Sequence, residues 1–263
     1  MNYFVEGLQG SGKSTMVRKL SGRNPGATAV LEGDYSPVEL AWCARMDAEK
    51  YREILEKYAE IRPQIEEKTV VEGDRYVVCY TQIRTEIPGF YQDLEQYEIY
   101  NGRISWEEFR AIVLGRYRRF SGDRMIFECS LFQNIVEDMI LFRCASDEEI
   151  LNFYREIREA LAGTEYRIVY LAAENLRENL EVIRKERSDP EGNELWFPVM
   201  IGYFNDSPYA KKAGASGEEA LIRHFEHRQA LELRIIRELF PDRSVVLTSK
   251  KYTEADLERV DRA

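Results

Sequence analysis

The chain has 263 residues, 44% of them apolar and 32% charged, with 37 basic against 47 acidic side chains for a net charge of −10. That composition is globular and long enough to bury a sizeable core unaided, and its acidic balance argues against nucleic acid or an anionic membrane as partner, because both reward a basic face. Cys43, Cys79, Cys129 and Cys144 form no C-x-x-C pair, no apolar run reaches membrane length, and no room for a leader precedes Gly7; a cytoplasmic protein without zinc or a disulfide framework is expected.

In chain order, a β-branched and aromatic run at 2–6 predicts a first strand, followed by a glycine-rich loop and a helix opening at 14–20. A second strand is expected at 27–31. The interval of about 90 residues before the next strand is far longer than an ordinary connection and must carry structure of its own. Its predicted parts are a helix over 49–61, strands at 69–71 and 76–83 joined through Glu72-Gly73-Asp74, and a helix over 106–120. Its aromatics, among them Tyr76, Tyr80, Phe90, Tyr100 and Phe109, either stack a ring-bearing substrate or pack the insert. Strands at 124–127, 166–171 and 244–248 then alternate with helices over 131–142, 147–161 and 175–186. A long helix marked by Leu221, Phe225, Leu231, Ile235 and Leu239 follows the capping-box pattern Ser216-Gly217-Glu218-Glu219. Strand alternating with helix implies a parallel sheet covered on both faces.

The segment Gly7-Leu8-Gln9-Gly10-Ser11-Gly12-Lys13-Ser14 satisfies G-x-x-x-x-G-K-[ST] in full, between the required strand and helix. Glycines let backbone N–H groups turn inward around phosphate oxygens, and the helix N-terminus adds its positive end. The expected nucleotide-holding set is Gly7, Gly10, Ser11, Gly12, Lys13, Ser14 and Thr15, with Lys13 on the β/γ-phosphates and Ser14 on Mg²⁺.

ATPases, GTPases, kinases and switches share such a site, so the carboxylates must discriminate. Glu128, at the end of the 124–127 strand, is expected beside Ser14 on Mg²⁺, while its rival Glu72 reads as part of a hairpin turn. Glu32 and Asp34 follow the second strand, whose carboxyl end should open on a ligand crevice. Either is a candidate base for a substrate hydroxyl, the alternative being an acidic turn built on Gly33. Arg177, Arg184 and Arg187 share one helix face, which either closes over a transferring phosphate or forms an ion-paired surface with interleaved glutamates. His224 and His227 lack a third metal ligand, and the basic runs 116–119 and 211–212 are expected to be exposed.

In their order, segments 4–15, 31–34 with Trp42 downstream, 127–130 and the arginine helix resemble the P-loop kinases of the deoxynucleoside kinase and thymidylate kinase group. With the intervening core the resemblance covers roughly half the chain. It implies an α/β fold, a P-loop NTPase three-layer α/β/α sandwich on a five-stranded parallel sheet ordered 2-3-1-4-5. An inserted α+β subdomain at about 48–121 would shape the acceptor side of a single domain. It further implies Glu32, or in its place Asp34, as the general base, Glu128 as magnesium support, and Arg184 with Arg187 as lid cations. Cys129 stands where the family carries an arginine, and 133–136 where deoxynucleoside kinases show an Asp-Arg-Tyr run, which points to a divergent acceptor. The expected function is therefore Mg²⁺-ATP-dependent phosphoryl transfer to a small molecule, a nucleoside or nucleotide first. The alternatives are an antibiotic or sugar-like acceptor, and a nucleotide-dependent switch or ATPase that binds a partner protein; a homodimer is compatible with each.

Overall fold

A computed structural model describes residues 1–262. Strand β1 (Asn2–Gly7) leads through the glycine-rich loop into α1 (Lys13–Arg23) and on to β2 (Thr28–Val30). Then come β3 (Ala44–Met46), α2 (Ala48–Lys57), α3 (Arg62–Glu67), β4 (Thr69–Glu72), β5 (Arg75–Val78), α4 (Phe90–Glu95) and α5 (Trp106–Arg119). The chain continues with β6 (Met125–Glu128), α6 (Gln133–Leu141), α7 (Asp147–Ala160), β7 (Tyr166–Ala172), α8 (Leu176–Glu186) and α9 (Trp196–Asp206). It ends with α10 (Pro208–Ala213), α11 (Glu218–Leu239), β8 (Ser244–Thr248) and α12 (Glu254–Arg262). Two compact units result, Met1–Ala29 with Ser121–Ala263, and Val30–Phe120.

The first unit is built on a five-stranded parallel sheet in the order β2-β6-β1-β7-β8. This differs from the expected 2-3-1-4-5 in whole-chain numbering because three further strands, β3, β4 and β5, intervene and make a separate antiparallel sheet. Register sets Val5 beside both Glu128 of β6 and Val169 of β7. Strand side chains alternate between faces, so Tyr3, Val5, Ile126, Val169 and Leu171 pack on Met16, Val17 and Leu20 of α1 and on Leu257 and Val260 of α12. The opposite face carries Phe4 stacked on Phe127, and Tyr170 against Phe132, whose ring also meets Tyr154 of α7. Each such fully buried side chain is worth about 1.5–3 kcal/mol. Both faces of the central strand are therefore apolar, and polar residues placed on them need partners.

Local signals decide the helix ends. Ser146 and Glu149 form a reciprocal capping box at α7, which the sequence reading overlooked. The box expected at Ser216 does not form: α11 starts one residue later on Gly217 at φ +77, whose N–H donates to Asn205 Oδ1 at 2.9 Å. The long 49–61 helix stops at Lys57. A 3₁₀ turn, Ala59–Ile61, then feeds α3, whose first turn holds Pro63 where a missing N–H is harmless.

In the second unit the antiparallel sheet has the order β3-β5-β4. Glu72 pairs with Arg75, which leaves a two-residue turn in which Gly73 takes φ +62, the conformation glycine adopts most readily. The strand expected over 76–83 ends at Val78, since Gln82 and Ile83 donate back to Cys79 and Tyr80 in a 3₁₀ turn. β3 was too short to leave a periodic signal, and the compact unit that holds it begins at Val30, ahead of the 48 expected for the insert. The insert's aromatics pack on one another: Tyr51 stacks on Tyr76 at 4.3 Å, Tyr58 meets Phe90 edge-on, and Tyr100 meets Phe109. No helix among the described residues is long and apolar enough to cross a membrane.

Candidate functional site

The glycine-rich loop leaves β1 at Gly7 and enters α1 at Lys13. Gly7, at φ +140, has no room for a side chain, because a Cβ there would stand 2.6 Å from the Leu171 carbonyl oxygen. At Gly10, φ +69, a Cβ would fall 1.9 Å from Cγ1 of Ile183 on α8. The loop is thus pressed between strand and helix. It is tied there by Ser249 Oγ, which donates to the Ser11 carbonyl at 2.8 Å, and by Asn179 Nδ2, which donates to that of Gln9 at 3.4 Å. Gly12 precedes the helix, and the first helical bond runs from Met16 N–H to Gly12 O at 3.0 Å. The N–H groups of Lys13, Ser14 and Thr15 come before it and form the positive end of α1.

Lys13 is buried, its Nζ donating to the carbonyls of Gly7 at 3.0 Å and Leu8 at 2.8 Å. Ser11 Oγ is buried and has no hydrogen-bond partner among the described residues. Thr15 faces outward, accepting from Arg18. Ser14 Oγ donates to Glu128 Oε1 at 2.5 Å, and Glu128 is only 8% exposed at the carboxyl end of β6. The structure therefore brings together the two oxygen donors that the sequence paired for a hard cation. Among the described residues no group of three or more His, Cys, Asp or Glu that could hold a metal ion converges. His224 and His227 each meet a separate carboxylate, Glu137 at 3.0 Å and Asp147 at 2.8 Å.

Behind the loop lies a buried polar network that sequence reasoning missed. Glu6 accepts the N–H groups of Leu131 at 2.7 Å and Phe132 at 3.1 Å, which caps the entry to α6. Burial pushes its carboxyl up to about 7 against those bonds. Arg228 of α11, 0% exposed, donates to Glu137 Oε2 at 2.7 Å and to the Gln9 side-chain oxygen at 2.9 Å. Its Nε lies 3.2 Å from Glu232, which also accepts from the Tyr170 hydroxyl at 2.6 Å. Burial opposes the ionisation of Glu137, but His224 and Arg228 outweigh it and hold the carboxyl at about 2. The available signal was the stripe Leu221, Phe225, Leu231 and Ile235 on α11, since His224, Arg228 and Glu232 share its inward face at helical spacing.

The arginines of α8 are already paired. Arg177 grips Glu219 at 2.7 and 2.9 Å, and Arg184 grips Glu194 at 2.7 and 3.0 Å and reaches Glu218 at 2.8 Å while lying over the Phe197 ring. Arg187 covers the ring of Trp196. These contacts fasten α8 to α9 and α11, with partners from outside the helix rather than its own glutamates.

Glu32 and Asp34 belong to the second unit and behave differently. Asp34 closes a turn, accepting the Leu31 N–H at 2.8 Å on one oxygen and Gln82 on the other. Glu32 is exposed and accepts from Trp42 Nε1 at 3.0 Å. Glu72 is structural: both its oxygens take Arg116 Nη1 at 2.6 Å, and Tyr35 adds a hydroxyl at 2.6 Å. Burial would raise its carboxyl, yet Arg116 and Tyr35 bring it below the ordinary value. Arg116, expected on an exposed face, is 3% exposed because it turns inward to that carboxylate and to the Ser36 carbonyl. Deeper still, burial pushes Glu39 up to about 8 and Glu98 up to about 7, the latter accepting from the Tyr80 hydroxyl at 2.6 Å. No known protein family matches the chain, and no curated protein matches its sequence.

Proposed function

We propose that the protein is a P-loop phosphotransferase that moves the terminal phosphoryl group of ATP, with Mg²⁺, to a small-molecule acceptor, on the three-layer sandwich of that class. The observation that carries this reading is the pairing of Ser14 with Glu128 at 2.5 Å beside the positive end of α1. It sets two oxygen ligands next to a loop whose Ser11 hydroxyl is buried without a partner among the described residues. That is the donor set a nucleotide-bound magnesium needs, because Mg²⁺ takes one or two protein oxygens and completes its shell with water and phosphate. Bound Mg²⁺ would supply charge neutralisation between the β- and γ-phosphates.

The chain's own residues do the rest. The N–H groups of Gly10 and of Gly12 to Thr15 hold phosphate oxygens with the Ser11 hydroxyl beside them, the Ser11 N–H being bonded to the Leu8 carbonyl, and Lys13 exchanges the carbonyls of Gly7 and Leu8 for the β/γ-phosphates. Glu32 is the proposed base for the acceptor hydroxyl. It is preferred to Asp34, whose two oxygens are committed to the turn and to Gln82. Arg184 and Arg187 act as lid cations by releasing Glu194, Glu218 and the ring of Trp196. Catalysis is then positioning and preorganised charge.

The test is transfer from γ-labelled ATP across nucleosides, nucleotides, sugars and aminoglycosides. A labelled product is expected, lost by a factor of about 10²–10³ in Lys13→Ala, the cost of removing one preorganised donor. Label recovered only as inorganic phosphate would favour a nucleotide-hydrolysing switch instead. Full activity in Glu32→Gln would remove the base assignment.

A further inference from the structure

Arg228 takes no part in the mechanism above, yet it is fully buried at the centre of α11. Two of its nitrogens face carboxylates, Nη1 to Glu137 at 2.7 Å and Nε to Glu232 at 3.2 Å. These are sufficient to balance its charge. The third, Nη2, reaches the neutral side chain of Gln9 at 2.9 Å, and Gln9 belongs to the glycine-rich loop itself. Residue 9 is one of the unspecified positions of the motif, so the motif does not call for glutamine there. Its backbone is gripped as well, by Asn179 Nδ2 at 3.4 Å, and Gly10 is pressed against Ile183.

We infer that Arg228 is a positioning residue for the glycine-rich loop: by holding Gln9 it fixes the direction of the peptide groups that follow, so that they converge on a nucleotide's phosphates before it arrives. This rests on the nucleotide reading above. A loop free to turn its peptide planes must be ordered by its ligand, and that cost is subtracted from affinity; a loop already ordered binds more tightly through the same contacts. Guanidinium suits the task because its planar fork grips a carboxylate with one arm and an amide oxygen with another, at a fixed angle. An ammonium group offers no such geometry.

The test is calorimetric titration of Mg-ADP into the wild type, Gln9→Met, Arg228→Lys and the double variant, with KM and kcat for ATP measured alongside. Each single change is expected to weaken binding by about tenfold, the scale of one hydrogen bond to a charged group. KM should rise with kcat nearly unchanged, since the loop's grip is common to ground and transition states. The double variant is expected to lose about the same tenfold, because both changes cut one tie. Undiminished binding in Gln9→Met, or a double variant weakened by the product of the two single effects, overturns the inference. If Arg228→Lys does not fold, Gln9→Met alone decides, since it leaves both ion pairs intact. A wild type that binds no Mg-ADP overturns the nucleotide reading and this inference together, whereas equal binding by wild type and Gln9→Met overturns the inference only.

Discussion

Two carboxylates, Glu137 in the parallel-sheet unit and Glu39 in the antiparallel one, are buried to a similar depth and shifted in opposite directions. In the parallel-sheet unit Glu137 is held ionised by His224 and Arg228, its carboxyl at about 2. In the antiparallel unit Glu39 meets a tyrosine hydroxyl and the backbone N–H of Ala41, and burial prevails, raising it to about 8. The difference lies in the partner and not in the depth: a dipole offsets only part of the desolvation of a carboxylate, whereas a cation in contact with it reverses the outcome. The first site therefore stores charge behind the glycine-rich loop, and the second favours the protonated acid at neutral pH.

The same substitution applied to both units tests this contrast. Glu137→Gln takes the main ion partner from Arg228 and is expected to cost about 3–5 kcal/mol in urea unfolding at pH 7, the price of breaking a buried pair. Glu39→Gln replaces an acid that is already neutral, so little change is expected at pH 5. In the wild type the folded state holds the Glu39 proton between the ordinary value of 4.5 and about 8, so stability falls as pH rises through that window. Glu39→Gln should flatten this slope by up to about 1.4 kcal/mol per pH unit and leave the variant more stable than the wild type at pH 8.5. A slope unchanged in the variant would mean that Glu39 is ionised throughout. The smallest effect belongs to His227 and Asp147, whose side chains are 39% and 44% exposed. His227→Ala is expected to change stability by less than about 1 kcal/mol, because water screens such a pair. A larger loss on thermal unfolding would show that exposure does not weaken ion pairs in this unit.

The parallel sheet was legible because β1, β6 and β7 are buried on both faces and read as continuous β-branched and aromatic runs; the edge strand 244–248, buried only at alternate residues, was matched residue for residue. The Ser14–Glu128 pair was legible for a related reason, since a motif fixes one partner and a strand end fixes the other. Arg228, Glu137 and Gln9 were not: they lie 91 and 219 positions apart in the chain, and only the folded sheet brings them together. Between the base and the acidic turn left open for Asp34 the sequence could not choose, because one of its oxygens is taken by Gln82, 48 residues later. The exposed reading of Arg116 failed for lack of the same information, as Glu72 is 44 residues away.

Glycine-rich segments are usually the first part of a chain to open, since glycine has the most conformational freedom to regain. This loop is bound on three sides, to the residue after β8 through Ser249, to α8 through Asn179 and Ile183, and to α11 through Arg228. The loop backbone cannot shift without breaking at least one of these ties, because each ends on an ordered part of the same unit. The segment richest in glycine is thus held like the structured elements around it, and to open it must release ties to three of them together.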